Sequence, residues 1–151
     1  MMHRWDMSGQ AAGFADMQML ARVEAALAAG TRLPRWGWPK PGPYNGASGD
    51  ERIAGWQYLQ IAVASGWMFR PTCCSLCMGI ERLHTHTENY FRPLVVRPVC
   101  QRCHFCLHRR FRYPASWLAL VDATSAGWAK TIDLRELTRG EALDRAGLPM
   151  D

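Results

Sequence analysis

The 151-residue sequence lacks any apolar run close to the roughly 18 residues that span a bilayer, so no transmembrane helix is predicted. It also lacks an internal repeat and a low-complexity tract. The first ten residues, Met1 to Gln10, are polar and contain no apolar core leading to a small-residue cleavage site. We therefore expect a cytoplasmic protein without a secretory leader. A hydrophobic content of 48% and seven tryptophans favour a folded globular chain over a disordered one.

Cysteine is the most informative residue type that is present. Four of the six cysteines form two CxxC pairs, Cys74 with Cys77 and Cys100 with Cys103, separated by 22 residues. Each pair can direct two thiolates at one ion, and two pairs supply the four soft ligands of a closed tetrahedral Zn²⁺ site. The spacing therefore predicts a structural zinc site formed by Cys74, Cys77, Cys100 and Cys103.

Other uses of these cysteines fit the sequence less well than zinc. Disulfides require an oxidising compartment, and a thioredoxin-like pair should follow a βαβ pattern that neither pair has. The run from Cys100 to His104 matches the c-type haem attachment pattern, but that chemistry requires export and leaves the first pair unexplained. Cys106 fits a small buried apolar position. Cys73 fits one too, or it could replace Cys74 as a ligand, because its spacing from Cys77 is also feasible.

The basic charge is concentrated in one segment. The formal net charge is +5, and residues 81–113 carry seven arginines against two glutamates, so the rest of the chain nets to zero. Guanidinium groups match phosphate geometry, which favours a nucleic-acid partner. We expect this partner to contact Arg92, Arg97, Arg102, Arg109, Arg110 and Arg112. The alternative is that some of these arginines are solvated on a helix or pair with the acidic C-terminal third.

Periodicity and capping signals predict an α+β fold that is mostly helical. Apolar spacing indicates a helix over residues 12–29 that ends at Gly30, and capping boxes begin helices near residue 50 and after Thr138. Strands are predicted over 80–87 and 94–99, helices over 100–112 and 114–121, and a further strand over 131–134. The predicted inward positions of the first helix are Phe14, Met17, Leu20, Val23 and Leu27.

Three segments follow from this pattern. Residues 1–50 hold the N-terminal helix and an arm rich in proline and glycine, in which two tryptophans suggest packing onto another element. Residues 51–115 hold a helix and a zinc core, in which a knuckle, a hairpin and a helix with two ligands in its first turn follow the layout of a treble clef. Residues 116–151 form a C-terminal helical extension.

Residues 72–113 resemble the zinc-knuckle branch of the HNH (His-Asn-His, ββα-metal) nucleases. The likeness rests on the two CxxC pairs, a strand with histidines, and His104 followed by His108. The resemblance implies a metal-dependent DNA endonuclease, nucleoid-associated, with Mg²⁺, Mn²⁺ or another divalent ion beside the structural zinc. It also implies that His86, nine residues after Cys77, is the general base, and that His104 and His108 bind the catalytic ion.

The chain departs from the family pattern at two places. The family has Asp or His next to the base, whereas His86 lies between Thr85 and Thr87. The family's central asparagine has no counterpart just before the second CxxC, and Asn89 is the nearest candidate for it. Glu88 could supply the missing carboxylate ligand.

A non-catalytic interpretation stays open alongside the nuclease. His104 could be a helix residue that donates a hydrogen bond beside the zinc, His84 and His86 could be polar positions on a hairpin, and His108 could contact phosphate. The protein would then be a zinc-binding treble-clef module that binds nucleic acid or a protein partner.

Overall fold

The computed structural model of the protein describes residues 12–150, which contain five α-helices and one two-stranded antiparallel sheet. The predicted α+β class is confirmed, and helix exceeds strand among the described residues. The elements are α1 (Ala12–Ala28), α2 (Gly49–Ala64), β1 (Leu83–Thr87), β2 (Val96–Cys100), α3 (Gln101–His108), α4 (Pro114–Asp122) and α5 (Arg139–Arg145), with a 3₁₀ turn at Gly127–Lys130. Met1–Gln10, on which the expectation about a leader depends, and the side chain of Phe14 lie outside the described residues. No helix within residues 12–150 has the length and apolar content needed to cross a membrane.

Helices α1 and α2 pack together around the first of two apolar cores. Gly30 ends α1 as predicted, because its φ of 105° suits glycine and lets Thr31 N–H reach the carbonyl of Ala26 at 3.0 Å. Val23 is fully buried against Leu59 and Ala62 of α2. Met17, however, is 68% exposed, so its predicted inward position is wrong.

Capping boxes begin α2 and α5, as predicted. The Ser48 and Thr138 hydroxyls accept from the third helical N–H, and the Glu51 and Glu141 carboxylates accept from the N–H of each cap residue. These contacts satisfy backbone donors that a helix start otherwise leaves unpaired.

The hairpin presents two histidines on one face. Its register pairs His84 with Val99 and His86 with Arg97, and alternate residues of a strand share a face. Both strands begin later than predicted, and β2 extends to Cys100, so the second CxxC pair starts at the junction between β2 and α3.

The second core lies beneath this junction. It contains Cys74, Val99, Cys103, Leu107 and Trp117, so α3 and α4 pack on the same apolar cluster. Helix α3 ends at His108 rather than at residue 112, and Pro114 begins α4 at a position where proline is favoured. The predicted strand over 131–134 is wrong: these residues follow the 3₁₀ turn as bends, and no described strand pairs with them.

The arm rich in proline and glycine packs onto α2, as its tryptophans suggested. The Trp36 and Trp38 rings contact the Trp56 ring edge to face, with centroids 5.2 and 5.8 Å away. Further along, Tyr44 and Ala47 form an isolated β-bridge that leads the chain into α2. The arm therefore has defined contacts and brings Tyr44 next to the histidines described below.

Candidate metal centres

Four cysteines converge in the group predicted from the sequence. The sulfur atoms of Cys74, Cys77, Cys100 and Cys103 all lie within 4.8 Å of one another, and Cys77 Sγ is 3.7 Å from Cys100 Sγ. A tetrahedral zinc with bonds of 2.3 Å would separate two sulfur ligands by about 3.8 Å. A disulfide would bring them to about 2.05 Å, and all six cysteines are free. The group could therefore hold a metal ion such as zinc.

The backbone around the cysteines is also shaped for thiolate ligands. The N–H groups of Leu76 and Cys103 point at Cys74 Sγ and Cys100 Sγ, at 3.4 and 3.5 Å. Burial raises the pKa of the Cys74 thiol, but backbone N–H groups outweigh that effect and lower the pKa to about 7, whereas burial raises the pKa of the Cys103 thiol. Cys73 is half-buried and lies outside the group, so the structure selects Cys74.

Three histidines form a second group of possible ligands. His86 on β1 meets His104 and His108 on α3, and one ring nitrogen from each lies within 4.8 Å of the others. His104 Nε2 is 2.9 Å from His108 Nε2, while a tetrahedral zinc with bonds of 2.0–2.1 Å would place two ligand nitrogens about 3.3 Å apart. His86 is 18 positions from His104 and 22 from His108 in sequence, and the hairpin and α3 bring the three side chains together.

Glu88 fixes the orientation of His86. The Oε2 atom of Glu88 is 2.7 Å from Nε2 of His86, so the carboxylate can hold the hydrogen on that nitrogen. The other ring nitrogen, Nδ1, is buried and has no hydrogen-bond partner among the described residues. A lone pair without a partner inside a cluster of imidazoles suits a metal ligand, and a carboxylate behind the ring is the usual arrangement at such sites.

Burial keeps the imidazoles of this group neutral. It lowers the pKa of His86, lowers that of His104 to about 3, and lowers that of His108 as well. The neighbouring imidazoles further lower the pKa of His104 and of His108. Glu88 has the opposite effect on His86, since its carboxylate raises the pKa of that ring. Neutral imidazole is the form that coordinates a metal.

The fourth histidine of the described chain supports the group from outside. His84 Nδ1 is 3.0 Å from His104 Nδ1, on the opposite side of the His104 ring from His108. His104 therefore contacts a histidine through each ring nitrogen. The pairing of His84 with Nδ1 fixes the ring so that Nε2 faces His108.

The arm closes the histidine group on another side. The Tyr44 ring packs against His108 with centroids 4.5 Å apart, and its hydroxyl is 3.2 Å from Glu88 Oε2. Asn45 has a φ of 51° and donates from Nδ2 to the Glu88 carbonyl at 2.9 Å. Its Oδ1 accepts from Leu137 N–H at 2.8 Å, so the arm also joins the C-terminal segment to the site.

Sequence reasoning missed the roles of Tyr44 and Asn45. The Asn45-Gly46 pair is a turn signal, which could have marked a special backbone position. Nothing local indicates that this turn contacts Glu88, which is 43 residues away.

Two predicted site residues are used by the fold instead. Asn89 donates from Nδ2 to the Ala142 carbonyl and accepts from Phe91 N–H, so both ends of its amide are hydrogen-bonded within the fold, and its catalytic role stays a prediction. Arg110 is fully buried, pairs with Glu88 Oε1, and donates to the Asp133 carbonyl and the Tyr44 hydroxyl. Its predicted contact with nucleic acid is wrong for that reason. Glu88 pairs with His86 and Arg110 and lies outside the group of three histidines, so its use as a carboxylate ligand stays a prediction.

The remaining predicted arginines fall into two groups. Arg92 pairs with Asp16 at 3.3 Å, and the guanidinium of Arg97 lies over the Trp128 ring at 5.5 Å. Arg102, Arg109 and Arg112 are exposed on or just after α3. Only the exposed group is placed so that a large partner could reach it directly.

Comparisons with known proteins leave the family unassigned: no protein-family model matches the chain, and neither the characterised proteins nor the solved structures include a significant match.

Proposed function

We propose that this protein is a metal-dependent DNA endonuclease of HNH type, in which the cysteines hold a structural zinc and the histidines hold a second divalent ion. The observation that carries the proposal is the convergence of three neutral imidazoles, one of which, His86, has a buried Nδ1 without a hydrogen-bond partner among the described residues. A knuckle, a two-stranded hairpin and a helix whose N-cap is Cys100 support the finer description of the zinc unit as a treble clef.

The composition of the two groups suggests different tasks for them. Four cysteine ligands form a closed site that stabilises the fold, whereas three histidines leave a coordination position for water or substrate. A divalent ion held by the histidines would polarise a phosphodiester and lower the pKa of a water beside it. The two sites therefore fit a structural and a hydrolytic role.

The proposal gives His86 a role different from the one implied by the family resemblance. His86 is 1% exposed, its Nε2 is held by Glu88, and its buried Nδ1 has no hydrogen-bond partner among the described residues. In this position His86 acts as a ligand and not as a free base. Glu88, Tyr44 and His84 then act as positioning residues, because each contacts an imidazole and fixes its ring.

One observation favours a second candidate, a non-catalytic zinc module that binds nucleic acid or a protein. The imidazole expected to be the base is buried, and Thr87 follows it where the family has a further polar ligand. A divalent ion at the histidines would then serve only to tie α3 to the hairpin.

Plasmid cleavage separates the two candidates. We expect wild-type protein to nick or linearise plasmid with Mg²⁺ or Mn²⁺, and we expect His104→Ala to lower the rate at least about 100-fold because a ligand is lost. Leu118→Ala is the control, since this side chain is exposed on α4 and lies outside both groups. Agarose electrophoresis with and without EDTA measures the effect.

Wild-type protein that is folded and zinc-loaded yet leaves both plasmid and circular single-stranded DNA intact with Mg²⁺, Mn²⁺, Ni²⁺ and Zn²⁺ would exclude the nuclease and leave the module. Equal cleavage by wild type and His104→Ala would remove the histidine group from the chemistry and point to a contaminating nuclease.

A further inference from the structure

A groove runs along the face of α3 that lies away from the histidines. It has a volume of about 680 Å³ and is lined by Arg82, Arg102 and Arg109 together with the rings of Phe105 and Tyr113. Arg102, Phe105 and Arg109 are spaced three and four residues apart, so they share one side of the helix, while His104 and His108 share another. The groove is therefore distinct from both candidate metal centres.

The charged side chains that line this groove are all positive. None of its lining residues carries a carboxylate, and within residues 12–150 neither Arg102 nor Arg109 forms a side-chain ion pair. The Arg82 guanidinium contacts Gln101 Oε1 at 3.1 Å, which leaves it without a charged partner there as well. Unneutralised guanidinium groups in a row fit a chain of phosphates.

The aromatic rings add a second kind of contact. Phe105 is 52% exposed and Tyr113 is 50% exposed, although rings of this size are usually buried. The Arg112 guanidinium lies 5.4 Å from the centre of the Tyr113 ring and places another positive charge beside it. Exposed rings between arginines are the feature by which proteins stack unpaired bases while holding the backbone.

We infer that this groove binds a single-stranded or locally unpaired stretch of nucleic acid, with arginines on the phosphates and Phe105 and Tyr113 stacked on bases. Duplex DNA fits less well, because its bases are already stacked on one another and only the arginines would be engaged. The inference rests on the proposed action on nucleic acid and specifies its substrate as strands with unpaired bases.

Fluorescence anisotropy with labelled oligothymidylate, which does not pair with itself, tests the groove. Phe105→Ala and Tyr113→Ala should each weaken binding roughly 5- to 150-fold, which is the range found for losing one stacked base. Arg102→Ala and Arg109→Ala should each reduce the slope of log K against log salt concentration by about 0.7. Phe69→Ala and Arg70→Ala are the matched controls, since both side chains are exposed outside the groove and should leave affinity unchanged.

Binding is measured in parallel on His104→Ala, so that the groove is tested apart from cleavage. Undiminished binding by this variant supports the groove whatever the outcome of the plasmid assay. Groove variants with normal zinc content and unchanged affinity would overturn the inference. Tighter binding of a duplex of equal length would overturn the preference for unpaired bases. Binding of an acidic peptide, together with no binding of any oligonucleotide, would assign the groove to a protein partner instead.

Discussion

At the scale of single residues, the histidine site depends on a partly buried ion pair. Arg110 is completely buried, and Glu88 meets both this guanidinium and the ring of His86. Burying a charge costs several kcal/mol unless it is paired and hydrogen-bonded, which Arg110 achieves through Glu88, Tyr44 and the Asp133 carbonyl. Arg110 therefore positions the carboxylate that orients His86.

Arg110→Met is predicted to lower the free energy of unfolding by about 3–5 kcal/mol, since it leaves Glu88 without its buried partner. Arg109→Met, one residue away and exposed, is the matched control and should change stability by no more than about 0.5 kcal/mol. Urea unfolding followed by circular dichroism gives both values. Equal stability of the two variants would show that the buried pair contributes little to the fold.

The identities of neighbouring residues could not have predicted this difference. Arg109 and Arg110 are chemically the same in sequence, and only the turn that ends α3 directs one outward and the other into the protein. The residue type of Asn89 likewise favours a catalytic role, whereas its amide pairs with the backbone of α5. The CxxC pairs were predictable because both ligands of a pair lie within one local turn.

At the scale of elements, capping boxes were predictable and strand ends were not. A capping box needs only residues three positions apart, so the starts of α2 and α5 were visible in sequence. Strand limits depend on which residues find partners, and the pairing of Leu83 with Cys100 sets those limits here. The expected strand over 131–134 had no such partner among the described strands.

The capping box of α5 predicts a pH dependence. Hydrogen bonds from Arg135 and from Thr138 N–H lower the pKa of Glu141 to about 2, below its usual value of 4.5. The charge therefore stabilises the fold fully above pH 4.5, and this contribution disappears as pH falls to about 2. The melting temperature of wild type should exceed that of Glu141→Gln above this range and converge with it below.

Thr138→Ala serves as the control for that measurement, because it removes the hydroxyl cap without removing a charge. Its deficit in melting temperature should persist across the whole pH range. If the melting temperature of Glu141→Gln stays below that of wild type by a constant amount down to pH 2, the role given to the carboxylate charge is contradicted.

At the scale of the whole molecule, two apolar cores and two candidate metal centres are held together by one small hairpin. The core around Val23 and Leu59 includes Val96 of β2, and the core around Trp117 includes Val99 of the same strand. The arm adds Tyr44 and Asn45, which connect α3, the hairpin and the C-terminal segment. Asn45 bonds to Glu88 and Leu137, which are 43 and 92 positions away in sequence. Contacts between residues so far apart could not be predicted from the sequence.

The central claim is that one chain holds two metal ions in separate groups, and native mass spectrometry tests it most directly. We predict two divalent ions per wild-type chain after addition of Zn²⁺, and one ion after brief EDTA treatment, because the cysteine site is closed and the histidine site is open. His104→Ala should bind one ion throughout, and Cys100→Ser should lose the retained zinc together with the fold around α3. A folded wild-type chain with no zinc, or a His104→Ala chain that still binds two ions, would contradict the account.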